Sequence, residues 1–216
     1  MDWDGTIIDS LPLINAAHNH LLEIHGKPLI GRSQSKKLTA HDPQTIIGTL
    51  IGTTDESAVA EGLTTFRQYV RKRHLDHFGR TDNGYTGLVD GAGELVEAIR
   101  SNDIPMGIVT NKNHDILKAE IAHLRWDDWF KALVGPGDAY RNKPYPDPVF
   151  LALNIMGIEP GREVAFIGDT YGDIECANAA GLTSILIEVE PYPENQSQPA
   201  LRYPNCFFAL KALMTP

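Results

Sequence analysis

Two kinds of periodicity divide the chain. From Ser10 to about Gly79 apolar positions recur at helical spacing, and no stretch alternates as a half-buried strand would. Leu11, Ile14, Ala17, His18, Leu21, Leu22 and His25 fall on one face of a predicted helix that Gly26 and Pro28 stop. Asp42 caps a second over 43–51 with Pro43 at its first position. A third runs from about Asp55 to Phe78, with Val59, Leu63, Phe66, Val70 and His74 as its apolar stripe. Arg67, Arg71, Lys72 and Arg73 lie off that stripe and read first as a solvated face. The turn-rich run Thr81-Asp82-Asn83-Gly84 closes the region.

Beyond it, short apolar runs alternate with helical ones. Strands are predicted at 104–109, 132–134, 164–167 and 184–189, and a last short one at Cys206-Phe207-Phe208. Between them lie helices at 93–101, 113–124, 147–157 and 174–180, the third capped by Asp147 with Pro148 at its first position. The stretch 191–199 is rich in Pro and polar residues and reads as a loop. Strand–helix alternation of this kind argues a parallel sheet covered on both faces. The fold class predicted is therefore α/β: a Rossmann-like parallel core, residues 1–9 and 81–216, with an all-helical domain inserted at 10–80. An insertion that close to the active end of a sheet is placed to act as a lid.

Composition narrows the function. With 19 basic and 28 acidic residues the net charge is −9, which argues against nucleic-acid backbone binding but not against a small anionic substrate. The two cysteines, Cys176 and Cys206, have no metal-ligand spacing and read as reduced thiols. No apolar run reaches membrane-spanning length, and the first residues lack a basic-then-apolar signal, so the expected place is the cytoplasm, away from membranes. His18-x-His20 and His74-x-x-His77 lack the Cys or acidic partners that would make them a metal site.

The chemistry-bearing residues follow the predicted strands: Asp2 and Asp4 in Met1-Asp2-Trp3-Asp4-Gly5-Thr6, then Thr110-Asn111-Lys112, then the loop to Lys143, then Asp169 and Asp173. Ligands of open parallel sheets bind outside the carboxyl ends of the strands, so these groups would gather although they span 170 residues. Two close carboxylates repel unless a cation or a shared proton offsets them, and a hard oxygen-seeking ion such as Mg2+ suits them. Thr110 and Lys143 suit phosphate oxygens. Each alone has a plainer meaning: an Asp-Gly turn, a helix cap at Thr110 or Asn111, a surface lysine, an acid-capped turn at Gly168-Asp169-Thr170-Tyr171-Gly172-Asp173. Their coincidence at four strand ends, in order, outweighs those meanings.

Taken with Lys143-Pro144-Tyr145-Pro146-Asp147-Pro148, these segments resemble the haloacid dehalogenase superfamily, specifically its phosphoglycolate-phosphatase-like hydrolases with a helical cap. The resemblance implies that Asp2 is a nucleophile forming an aspartyl-phosphate and Asp4 the general acid/base. It implies that Asp2, the Asp4 carbonyl and Asp169 hold Mg2+, with Asp173 supporting them, and that Thr110, Asn111 and Lys143 bind the phosphoryl group. A second carboxylate at Asp4 favours phosphate esters over carbon–halogen bonds or phosphonates. Family members carry an apolar strand before the first Asp, where only Met1 precedes it here, so either the start lies upstream or the strand is severely shortened. Asp90-Gly91-Ala92, where relatives carry Pro-Gly, reads as neutral.

The function expected is Mg2+-dependent hydrolysis of a small phosphorylated metabolite, phosphoglycolate being the default. The alternatives are a β-phosphoglucomutase-like phosphosugar mutase and a catalytically inactive binding or regulatory protein. In the helical domain, Thr53, Thr54 and Arg67 are the candidate contacts to the rest of the substrate.

Overall fold

A computed structural model describes residues 1–77, 87–188 and 192–213, with the side chains of 74–77 left aside. The chain divides into two compact units, Met1–Asp9 with Leu88–Pro216, and Ser10–Gly87. The link predicted at Thr81–Gly84 and the side chains of His74 and His77 lie outside what is described.

The helical unit holds α1 (Leu11–Ile24), α2 (Arg32–Leu38), α3 (Pro43–Ile51) and α4 (Glu56–His77). Leu21 and Leu22 of α1, Ile47, Leu50 and Ile51 of α3, and Val59 and Leu63 of α4 form one buried cluster. The stripe on α1 is rotated from the predicted one: Leu13 is buried, Leu11 and Ile14 are half-buried, and His25 is exposed at the C-cap. The periodicity of the sequence misses α2, because seven mostly polar residues show no apolar stripe. Asp42 caps α3 as predicted, accepting from the Thr45 amide at 3.1 Å. His18 is buried with Nδ1 2.7 Å from Ser35 Oγ, and His20 stacks on Tyr69.

The α/β unit contains α5 (Ala92–Ser101), β1 (Met106–Val109), α6 (His114–His123), β2 (Phe130–Val134), α7 (Asp147–Met156), β3 (Ala165–Gly168), α8 (Tyr171–Ala179), β4 (Thr183–Ile187), β5 (Leu201–Tyr203) and α9 (Cys206–Leu213). Strands β1 and β2 pair in parallel, as do β3, β4 and β5 in that order. Met1 and Asp2 seam the two ladders: Met1 bonds Gly107 O and the Val109 amide, and the Asp2 amide donates to Ile167 O at 2.8 Å. The spatial order is thus β2, β1, the opening residues, β3, β4, β5. Met1 and Asp2 thus stand where a central strand would run, Met1 bonding the backbone of β1 and Asp2 that of β3.

Period-2 alternation splits the core between the two faces. Met106, Ile108, Ile167, Ile185 and Ile187 pack with α5, α6 and α9, while Val109, Val134 and Phe166 pack with α7 and α8. The two segments flanking the helical insertion also meet, the Val89 amide donating to Ile7 O at 2.9 Å.

Two local expectations are corrected. Cys206-Phe207-Phe208 opens a helix, not a strand; Cys206 and Ala209 are fully buried at helical spacing, and Asn205 caps through the Phe208 amide. The last strand is Leu201–Tyr203 instead. At α7 the N-cap is Pro146, and the Asp147 carboxylate turns to Arg141 (2.9 Å) rather than to the helix amides.

Candidate active site

The candidate groups of the α/β unit follow its strands, directly or after a loop. Asp2 terminates the central seam, and Gly5 then turns the chain with φ +82°, a conformation that side-chain-bearing residues rarely adopt. A Cβ at Gly5 would also collide with the Asp169 carboxylate, so glycine is required here twice over. Thr6, fully buried, donates to Asp169 Oδ1 at 3.2 Å and fixes that carboxylate against the turn. Asp169 follows the last residue of β3.

Asp2, Asp169 and Asp173 are all buried, each offering an oxygen within 4.8 Å of those of the others. Lys143 joins them from the loop after β2, with Nζ 2.7 Å from Asp2 Oδ1 and 2.6 Å from Asp173 Oδ1. Three carboxylates against one ammonium leave a buried charge of about −2, the condition that a divalent cation relieves. Burial, and then the Asp173 charge, push the Asp2 carboxyl up to about 6 even with Lys143 beside it. Burial alone would lower the Lys143 pKa, but Asp173 and Asp2 outweigh it and hold that ammonium above its ordinary value. The donor set is all oxygen, which fits Mg2+ and disfavours soft metals.

Asp173 serves two masters. Its Oδ2 accepts from the Thr170 amide (3.1 Å) and hydroxyl (2.7 Å), making the capping box of α8, while Oδ1 takes Lys143. The acid-capped turn and the charged cluster are therefore the same structure.

Thr110 is buried at the end of β1, its amide donating to Val134 O and its Oγ1 accepting from the Lys112 amide at 3.2 Å. Neither it nor Asn111 caps α6; Asn113 does, through the Asp115 amide. Asn111 Nδ2 reaches Lys143 O at 3.4 Å and ties the two loops together.

Asp4 stands apart from the cluster. Its Oδ1 lies 2.6 Å from Lys112 Nζ, which also lies 3.1 Å from Glu120 Oε1. Glu120 Oε2 in turn accepts from Trp3 Nε1 at 2.6 Å. Sequence reasoning gave Lys112, Glu120 and Trp3 no role. One signal was available: Glu120 falls on the buried stripe of α6 with Leu117 and Ile121, where an acid is out of place unless paired. Thr53, Thr54 and Arg67 belong to the helical unit; Thr53 Oγ1 accepts from the Asp55 amide at 3.1 Å, and Thr54 and Arg67 are exposed.

Comparison with known proteins decides the family. The model of the haloacid dehalogenase-like hydrolases matches residues 1–187. The chain belongs to that family. It is 31% identical over 180 residues to the N-acetylmuramic acid 6-phosphate phosphatase of Pseudomonas aeruginosa, covering 83% of this chain and 76% of that one. It is 28% identical over 231 residues to the phosphoglycolate phosphatase of Escherichia coli O157:H7, covering all of this chain and 91% of the relative. The crystal structure of a hydrolase from Pseudomonas syringae superposes with a TM-score of 0.80 at 20% identity, over 99% of this chain and 95% of that one. The chain is thus a haloacid dehalogenase-like hydrolase with a Rossmann-like core and an inserted helical unit. Among the described residues no helix is long and apolar enough to cross a membrane.

Proposed function

We propose that this hydrolase is a Mg2+-dependent phosphatase of a small phosphorylated metabolite in the cytoplasm, working through an aspartyl-phosphate on Asp2. The observation that carries the reading is the division of carboxylates: Asp2, Asp169 and Asp173 clustered with Lys143, and Asp4 held separately by Lys112. The names of the two curated relatives support phosphate-ester chemistry, with phosphoglycolate and a sugar-acid 6-phosphate as the first substrates to test.

Asp2, Asp169 and the Asp4 carbonyl would hold Mg2+, with Asp173 in support; when bound, the ion screens the nucleophile from the anionic phosphoryl group and withdraws charge from its oxygens. The Asp2 carboxylate attacks phosphorus, forming an O–P bond as the ester P–O bond breaks, and Asp4 gives its proton to the leaving alkoxide. Asp4, now a carboxylate, takes a proton from water as that water attacks phosphorus and the aspartyl O–P bond breaks. Inorganic phosphate and the original carboxylate result. Lys143, Thr110 and Asn111 bind the phosphoryl oxygens in this reading.

The test is phosphate release from a panel including phosphoglycolate, N-acetylmuramic acid 6-phosphate and hexose phosphates, with and without Mg2+. Metal-dependent release from at least one of them is expected. Isomerisation of a hexose phosphate without release would make the protein a mutase, and inertness toward the whole panel would make it a binding protein.

A further inference from the structure

The group Trp3, Lys112 and Glu120 asks for an explanation that stability does not supply. Trp3 alternates with Asp2 and Asp4 and so leaves the chain on the opposite side, into the core. It is fully buried, held edge-on by Trp126 (6.3 Å) and Phe130 (6.0 Å). Its indole N–H donates to Glu120, which has no exposed surface, and Glu120 faces Lys112, whose ammonium returns to Asp4. Burying a Glu–Lys pair gains little over apolar residues of similar volume, and Glu120 already lies on an otherwise apolar stripe. The arrangement is therefore poor value as a pin for the fold.

It is well suited to a different task. Asp4 lies two residues from Asp2, and a carboxylate there is drawn toward any cation bound by its neighbours. Lys112 opposes that pull, and the Asp4 carboxylate stands outside the group of three whose oxygens converge. Lysine is a flexible point charge that could swing to the phosphoryl group or to Asp2. Glu120 denies it that freedom, and Trp3, rigid and packed edge-on against Trp126 and Phe130, denies Glu120 its own.

We propose that Trp3, Glu120 and Lys112 form a positioning chain that holds the Asp4 carboxyl group away from the metal-binding carboxylates and reserves it to carry a proton to the leaving group. The inference rests on the reading of Asp4 as general acid. It makes Lys112 and Glu120 positioning residues rather than substrate contacts.

The two roles separate by leaving group. An alkyl phosphate needs its alkoxide protonated, whereas p-nitrophenyl phosphate departs without help, so misplaced Asp4 harms the first far more. Single-turnover release of alcohol or p-nitrophenol should be measured for the native enzyme and for K112M, K112R, E120Q and K112M/E120Q, with thermal melts to check folding. K112M should slow the alkyl ester by about a hundredfold and the aryl ester by no more than about tenfold, the size of effect expected from displacing a catalytic group by an ångström or so. K112R should recover most of the alkyl rate. E120Q should lose in the same direction but less, and the double variant should be no worse than K112M, because Glu120 acts through Lys112. Equal losses on both esters, a raised KM with intact kcat, or a full E120Q loss added to that of K112M would each overturn the proposal. If K112M does not fold, E120Q and K112R alone decide it by the same leaving-group contrast. A native enzyme that hydrolyses no phosphate ester would sink the phosphatase reading and this inference with it, whereas an active native enzyme with indifferent variants sinks only the inference.

Discussion

The two units of the molecule bury polar groups in opposite ways. In the α/β unit Asp2, Asp169, Asp173, Lys143, Lys112 and Glu120 are all buried. In the helical unit the buried polar side chains among the described residues are Ser10, His18 and Ser35, none carrying a formal charge at neutral pH, and Arg67, Arg71 and Lys72 are exposed. Desolvating an ion costs several kcal/mol, so charges are placed inside a protein where something other than folding requires them. The contrast is one of charge: the α/β unit buries a cluster of ionisable groups, and the helical unit is held by ordinary apolar packing with a neutral polar contact between His18 and Ser35.

The sharpest way to break that contrast is to remove the nucleophile. Asp2→Asn should reduce metal-dependent phosphate release to background with the far-UV circular dichroism unchanged, since an amide is a poor nucleophile and a poor ligand. Substantial turnover by this variant would mean that the buried charges serve folding after all. Asp4→Asn should slow steady-state turnover by about a hundred- to ten-thousandfold while leaving substrate affinity largely in place. A near-native rate would pass the proton transfer to water.

The helical unit should respond to pH instead. Burial lowers the His18 pKa to about 4 from its ordinary 6.5. The folded unit therefore keeps a neutral imidazole while the unfolded chain takes up a proton. Stability is full above about pH 6.5 and drains away as pH falls toward 4, by up to about 3 kcal/mol. Urea unfolding at pH 7 and pH 5 should show a loss in the native protein about 2 kcal/mol larger than in His18→Gln. The same loss in both proteins would show that other groups set the acid sensitivity. The smallest effect concerns the substrate beyond the phosphate. If the helical unit acts as a cap, replacing Thr53 and Thr54 with Ala should reorder the metabolite panel while sparing p-nitrophenyl phosphate; an unchanged ranking would leave that stretch as helix-capping surface.

Much of this was legible in the sequence, for reasons that can be named. The strands were readable because a parallel sheet covered on both faces demands short continuous apolar runs, and Ile108 and Val109 are both apolar because each meets a different covered face. Asp2, Asp169 and Lys143 were findable because strand ends of such a sheet gather in space whatever lies between them. The helix α2 was not, since six polar residues and one leucine offer no period, and α9 was misjudged because two exposed phenylalanines imitate a strand. Glu120 and Trp3 escaped for a deeper reason: their partnership joins residues 117 positions apart, and no local pattern encodes it. Only the odd acid on an apolar stripe hinted that α6 had a partner to find.

The central claim is that Asp2 accepts the phosphoryl group. Acid-quenching the enzyme during turnover and reducing it with borohydride would convert an aspartyl-phosphate into homoserine, which peptide mass spectrometry locates by residue. The account predicts homoserine at position 2 in the native enzyme and none in Asp2→Asn. Steady phosphate release with residue 2 unmodified, or with the label on another carboxylate, would contradict it.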